Sequence, residues 1–593
     1  MLSSKKIVED YTKRKDWRVL ENSSAPYSHG AMNKYILGEV SKDYWLREVY
    51  DREIVEAYRE GYVHLHDLGG LTIYCVGYSL RSILLKGVRG INNIPRSKPA
   101  KHFGAVLNQL TNLATLFQNE IMGAVAFSSV DTLLAPFIKE DNLSYEEVLQ
   151  HMQNFIFSLN SNSRMGAEPA FTNVTLDLTP PKDLLNQKVI IGGEEKDYTY
   201  KDCQEAMNMF NAAFCAVMLE GDADGVPFAY PIPTYNIHER FDWDNPANDP
   251  LWELAGTYGA PYFANFLNSD MNPEDARSMC CRLRLDKREL LRRTGGLFGS
   301  GDSTGSIGVV TINLPRLGYL ASGDKDEFFY LLEKYMDVAK NSLEIKRSYL
   351  IEEVIEKKSL PAFMEYVGGL DNFFSTIGYV GGNELCENLL GVSIKDPVGQ
   401  KFMIEVLEFM RDRLKDYQVM TGNLYNLEAT PAESTCYRLA ALDVKMLPGI
   451  KTQGTEDAPY YTNSCHLPVS EVESIYETTL HQNDLQKLHT GGTVIHYYID
   501  GPISGAMAKR IVKSICTKFE VPYISISPVN CFCPEHNMLP KYVDKCPICG
   551  KETEAYQRIT GYRRNVKNFN VGKAAEFRDR NQYSMTRGSF DNL

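Results

Sequence analysis

Four residues near the C-terminus constrain this chain more tightly than any other feature: Cys533 and His536, then Cys546 and Cys549, two pairs with matched two-residue spacers. Each pair fits on one tight turn, and two such turns converge on a single tetrahedral ion. The spacing therefore predicts a structural zinc site that folds its own segment. Cys531 is a fifth candidate ligand, and the alternative for the whole set is a reduced, metal-free turn. Thirteen cysteines in 593 residues would form a disulfide scaffold only in an oxidising compartment. The first residues lack the apolar core of a signal peptide, and no apolar run reaches membrane-spanning length. The expected setting is the cytoplasm, with thiols serving metal or redox chemistry. A formal charge of −13 argues against a nucleic-acid or anionic-membrane binder, which needs a basic face, and leaves room for a nucleotide pocket.

Upstream, helix and strand patterns alternate along most of the chain. Residues 1–70 read as helical and end in His64-Leu-His66-Asp67, which is read as tying a helix end into a core rather than as a metal site. Residues 71–78 read as a strand carrying one thiol, Cys75. Residues 101–162, including the run from Gly123 to Phe137, read as helical core. A strand is expected from Asn173, a helix over Tyr198–Glu220, and a strand with a proline break at Pro231. This alternation predicts an α/β fold with parallel strands, and the length allows either several domains or one large catalytic core.

Three further stretches carry candidate chemistry. Cys280 and Cys281 are adjacent on a predicted loop, unsuited to pairing with each other. The glycine-rich run from Thr294 to Asn313 has no closing Gly-Lys-Ser/Thr, so it is not a Walker loop, and it reads as a flexible loop leading into a strand. In Thr430-Pro431-Ala432-Glu433-Ser434-Thr435 a strand runs towards a proline placed at a first helical turn. That arrangement aims backbone N–H groups and hydroxyls at an anion, phosphate above all, the alternative being an ordinary capped helix. The motifs Tyr461–Pro468 and His489–His496 are assigned no chemistry.

The remaining motif, Arg558-Ile-Thr-Gly561-Tyr562, reads by itself as a turn glycine. Its continuation through Asn570-Val-Gly572-Lys573, just after the paired ligands, closely resembles the glycyl-radical loop of anaerobic (class III) ribonucleoside-triphosphate reductases. The resemblance extends over nearly the whole chain. It implies a ten-stranded α/β barrel of two five-stranded halves, of the glycyl-radical enzyme and ribonucleotide reductase type, with a small zinc-binding module and a glycyl-radical loop at the C-terminus. The expected boundaries are 1–525 for the barrel and its N-terminal helices, 526–555 for the zinc module and 556–593 for the loop and tail. It further implies that Gly561 stores the radical, that Cys281 (Cys280 as fallback) becomes the thiyl radical, and that Cys75 is the second active-site cysteine. Thr430, Ala432, Glu433, Ser434 and Thr435, with Asn313 at the end of the glycine-rich run, are the implied substrate-binding residues. The implied partners are ribonucleoside triphosphates, deoxynucleotide or ATP specificity effectors, an activating enzyme using S-adenosylmethionine and an iron–sulfur cluster, an external reductant (formate or a thioredoxin-like protein), and a second copy in a homodimer. Neither nucleic acid nor membrane is among them.

Two departures bear on regulation and mechanism. The family's catalytic sequence begins here within the first twenty residues, so an N-terminal ATP-cone switch is expected to be missing or housed elsewhere. Two residues past Cys281, where the aerobic classes carry a glutamate, stands Leu283, so no general base is expected from that loop. A glycyl-radical acyl-lyase or diol dehydratase would share Arg-x-x-Gly-Tyr without the paired ligands or the Thr430–Thr435 element. A zinc-ribbon nucleic-acid protein would need a basic chain, and an inactive paralogue would not be expected to keep Gly561 and Cys281.

Overall fold

The computed structural model describes residues 3–14, 19, 27–89, 91, 95–161, 168–269, 303–584 and 588–593. Cys280, Cys281, Leu283 and the glycine-rich run as far as residue 302 lie outside the described residues. Ten strands form one continuous hydrogen-bonded path: β1 (Cys75–Tyr78), β2 (Val125–Phe127), β3 (Thr172–Leu176), β4 (Ile232–Ile237), β5 (Tyr262–Asn265), β6 (Thr304–Asn313), β7 (Phe373–Val380), β8 (Leu424–Glu428), β9 (Ile495–Ile499) and β10 (Tyr523–Pro528). Their spatial order is β8-β7-β6-β1-β2-β3-β4-β5-β10-β9, with an eleventh short strand, Val63–Leu65, antiparallel on β6.

β1 to β5 are mutually parallel, as are β6 to β8 and the pair β9/β10. The two sets meet antiparallel at β1/β6 and β5/β10. Between β8 and β9 the ladder is not continuous; a single parallel bridge, Glu428 to Gly491, joins β8 to the segment before β9. All ten residues of β6 and all eight of β7 are buried, the pattern of parallel strands covered by helices. The helices are set by local signals. Asp324 caps Lys325–Tyr349 through the N–H groups of Asp326 and Glu327, and Asp396 with Pro397 starts Pro397–Thr421, which ends at Gly422 with φ 74°. Among the described residues, no helix is long and apolar enough to cross a membrane.

The structure differs from the sequence expectations at several places, among them the short strand Val63–Leu65 in a stretch read as helical. Val125–Phe127 is a strand inside a stretch read as helical: three residues are too few to show a period of two, and pairing with β1 and β3 decides the matter. Gly305 and Gly308 lie within β6, not in a loop before it. Gly305 is there because a Cβ would fall 2.1 Å from the carbonyl oxygen of Cys75, so only glycine permits the antiparallel approach of β1. Pro431 is not in a first helical turn: the helix starts at Ser434 with Glu433 as its N-cap. Proline disfavours helical backbone at the residue before it, here Thr430. The Ala429 N–H is also committed to Gly491 O at 3.0 Å, which keeps this entry extended.

Candidate functional site

The glycine at 561 is presented by a hairpin. Strands Glu554–Arg558 and Arg563–Asn565 pair antiparallel in a four-stranded sheet with Asn530–Cys533 and Asn537–Leu539, so the loop shares one small sheet with Cys533. Residues 559–562 form its tip, closed by Ile559 N–H to Tyr562 O at 2.9 Å. The Gly561 carbonyl accepts from the Tyr262 hydroxyl and from Arg558 Nη1 at 3.2 Å. Arg558 also donates to Gly259 O and to Ala260 O, and its guanidinium lies 4.2 Å over the Tyr262 ring. The arginine of Arg-x-x-Gly thus fastens the tip to β5. From behind, Arg580 donates to Gln557 Oε1 (2.8 Å), Arg558 O (3.1 Å) and Ile559 O (3.3 Å), and is itself paired with buried Glu576 at 2.7 Å.

Gly561 and Tyr562 border a cavity of about 1090 Å³ among the described residues, and Cys75, Glu433, Ser434 and Thr435 border the same cavity. Cys75 opens β1 and is 2% exposed; a Cβ at Gly123 would stand 2.7 Å from its Sγ, so glycine there makes room for the thiol. The helix Ser434–Met446 presents its N-terminus to the cavity, and the Glu433 carboxylate accepts from the Tyr562 hydroxyl instead of capping the helix. Burial foremost, and then Glu433, keep the Tyr562 phenol protonated, with its pKa far above the ordinary range. The other sequence candidates lie elsewhere. Thr430 meets Thr311 Oγ1 at 3.2 Å and borders a smaller chamber of about 80 Å³. Ala432 packs against Val380, Cys436 and Leu439. Asn313 gives its amide to Gly61 O and Asp443 Oδ2, both at 2.8 Å, and it does not border the large cavity.

Sequence reasoning assigned His64 and His66 to packing, but both border the cavity. Their ring centroids are 4.5 Å apart. His64 Nδ1 lies 3.2 Å from Arg438 Nη1, and His66 Nε2 lies 2.8 Å from Thr311 Oγ1. Burial, followed by the charges of Lys346 and Arg438, lowers His66 to about 3; burial, His66, Arg438 and Lys42 lower His64 too. Both imidazoles are therefore neutral near pH 7. The signal was present as His-x-His, since alternate residues of a strand share one face.

The paired ligands converge as the spacing required. One donor atom each from Cys533, His536, Cys546 and Cys549 lies within 4.8 Å of the others. His536 Nδ1 is 3.5 Å from Cys533 Sγ and 3.6 Å from Cys546 Sγ, and Cys533 Sγ is 3.5 Å from Cys549 Sγ. A tetrahedron with donors about 2.0–2.3 Å from its centre has edges of roughly 3.5–3.8 Å, so the set fits a tetrahedral metal. Desolvation would raise the Cys533 thiol, but N–H donation from Glu535 and contact with His536 bring it down to about 6. Cys549, despite N–H donation from Lys551, is pushed up to about 11 by burial and by Cys533, so without a metal the two sulfurs share one proton. Cys531 stands outside this quartet and points its Sγ at Val543 O, 3.4 Å away.

Known proteins resemble this chain in sequence and in fold. The family model described as anaerobic ribonucleoside-triphosphate reductase matches residues 21–583. The curated protein of that name from enterobacteria phage T4 is 23% identical, over 89% of this chain and 91% of its own. A solved anaerobic ribonucleotide reductase superposes with a TM-score of 0.77 at 21% identity, covering 97% of this chain and 93% of its own. The Thermotoga maritima anaerobic ribonucleotide reductase, solved with dATP in its specificity site, gives 0.73 at 20% identity over 95% and 98%. At these identities the superpositions establish the fold.

Proposed function

Because this chain belongs to the anaerobic ribonucleoside-triphosphate reductase family, and is thereby an oxidoreductase, we propose that it reduces ribonucleoside triphosphates to 2′-deoxyribonucleoside triphosphates through a glycyl radical at Gly561. One observation carries this reading: the Gly561 tip, the Cys75 thiol and a helix N-terminus bearing Ser434 and Thr435 border one cavity large enough for a nucleotide. A separate activating enzyme installs the radical, its iron–sulfur and S-adenosylmethionine cofactors supplying the hard chemistry. The radical then passes to Cys281, whose thiyl form takes the ribose C3′ hydrogen and, once the 2′-carbon has been reduced, returns it and is regenerated. The 2′-hydroxyl leaves as water. Cys75 delivers a reducing hydrogen from the opposite side of the sugar, and an external reductant (formate or a thioredoxin-like protein) supplies the balance of the two electrons. By analogy with the dATP-bound relative, a deoxynucleotide acts as specificity effector; ATP as a further effector, a homodimer and a cytoplasmic location are what the family resemblance implies.

The helix N-terminus is assigned to the substrate triphosphate. Hydrogen bonds to a charged partner are worth about 1.5–3 kcal/mol each, or tenfold and more in affinity. Replacing Ser434 and Thr435 together by alanine should raise the Michaelis constant for the nucleotide at least about tenfold and leave the glycyl signal intact. An unchanged constant would move the phosphate site elsewhere.

The quartet is assigned to zinc, which ties together the sheet that presents Gly561 and takes no part in the reaction. Cys546→Ser should lower bound zinc and cost more radical yield than fold, read by metal analysis beside electron paramagnetic resonance. Pure protein with well under half a zinc per chain and full activity would refute the assignment. The acyl-lyase or dehydratase reading is disfavoured by the quartet and by the family match over residues 21–583.

A further inference from the structure

Among the described residues, the wall of the cavity assigned to a polyanionic substrate is acidic. Five carboxylate residues border it among the described residues: Asp67, Glu120, Glu168, Glu428 and Glu433. The single lysine among the described residues of its wall, Lys34, is already paired with Glu168 at 3.2 Å. The described residues of that wall also include two imidazoles, His64 and His66, both neutral without a bound anion.

Both are joined to the element that the triphosphate is assigned to. Arg438 lies one turn beyond Ser434 on the same helix and touches His64 Nδ1. His66 contacts Thr311 Oγ1, which meets Thr430 Oγ1 at 3.2 Å, on the chain entering that helix. We propose that the His64–His66 pair is a further part of the triphosphate site and takes up one proton as the ribonucleoside triphosphate binds. This rests on the assignment of that helix N-terminus to the substrate.

The groups facing the pair explain both its neutral resting state and its response. His64 faces Arg438, Lys42, the Tyr58 ring and His66; His66 faces Lys346, Arg438 and Thr311. Burial first, and then those cations, hold protons off both rings. A unit negative charge about 4 Å away raises a neighbouring pKa by roughly three units at an effective dielectric near 20, and a triphosphate brings several such charges. Rings with centroids 4.5 Å apart repel each other when both are charged, so the pair accepts one proton and not two. Raising a pKa on binding means that affinity is greatest at low pH and falls as pH rises through the window between the free and bound values.

The test needs neither activation nor turnover. Titration calorimetry of the unactivated protein with a ribonucleoside triphosphate, in buffers of different ionisation enthalpy at pH 7.5, should show net uptake approaching one proton. Between about pH 7 and 8.5, above the titration of the free γ-phosphate, the association constant should fall by up to about tenfold per pH unit. His66→Gln and His64→Gln should each reduce both effects. Binding with no buffer dependence and a flat pH profile would overturn the inference. So would uptake that vanishes in saturating magnesium, because a cation would then be neutralising the phosphates. Failure of the wild-type protein to bind any ribonucleoside triphosphate would instead overturn the assignment of the substrate site beneath it.

Discussion

Replacing Gly561 by alanine is expected to abolish both the radical signal and deoxynucleotide formation, while the protein still folds and binds zinc. The carbon radical assigned to this residue is stabilised by delocalisation over the amide nitrogen on one side and the carbonyl on the other. That requires a flat centre, which the absence of a side chain permits. The surroundings suit such a species. The Gly561 carbonyl is held by the Tyr262 hydroxyl and Arg558, and Arg580 grips the strand behind it, so the tip is fixed in the cavity wall. A backbone radical is also where oxygen cuts, so the alanine variant should resist the chain cleavage that air causes at residue 561 of the activated protein. Intact thermal unfolding and zinc content would show the loss to be chemical. Wild-type activity in the alanine variant would end the glycyl assignment.

Cys281→Ser should separate storage from use: the glycyl signal remains and no product forms. An S–H bond is weak enough to give its hydrogen to a glycyl radical, and the resulting thiyl radical is strong enough to take the ribose C3′ hydrogen reversibly. A serine O–H is too strong for the first of these steps. The transfer requires near contact, with reacting atoms within roughly 3–4 Å or a short rearrangement of that. Product formation should therefore drop below detection while spin concentration stays at the wild-type level. Should Cys281→Ser remain active and Cys280→Ser fail, the thiyl role moves to the neighbouring residue. If both variants turn over, the thiyl mechanism itself falls.

The legible parts of this chain were those where one residue type is chemically irreplaceable. Cys533, His536, Cys546 and Cys549 could be matched by spacing alone, because two short turns around one ion leave little choice. The α/β class was legible in the alternation of helix and strand patterns, and the ten-strand path in two sets only through the resemblance. Features decided by distant partners were not legible. The amide of Asn313 is consumed by Gly61 and by Asp443, 130 residues away, and no local pattern announces that. Val125–Phe127 is a strand because β1 and β3 flank it. The histidines of His64-x-His66 looked like packing because which side of a short strand faces a cavity depends on what lies across it. Their place on the cavity wall follows from Thr311 on β6 and Arg438 on the helix after β8.

The central claim, that Gly561 stores the radical, is tested most directly by electron paramagnetic resonance of protein activated without oxygen. Material grown with glycine deuterated at Cα should be compared with ordinary material. The expected signal is a doublet split by the single remaining α-hydrogen, collapsing towards a singlet on deuteration and absent from Gly561→Ala. A signal of unchanged shape in the deuterated protein, or one that persists in the alanine variant, would contradict it.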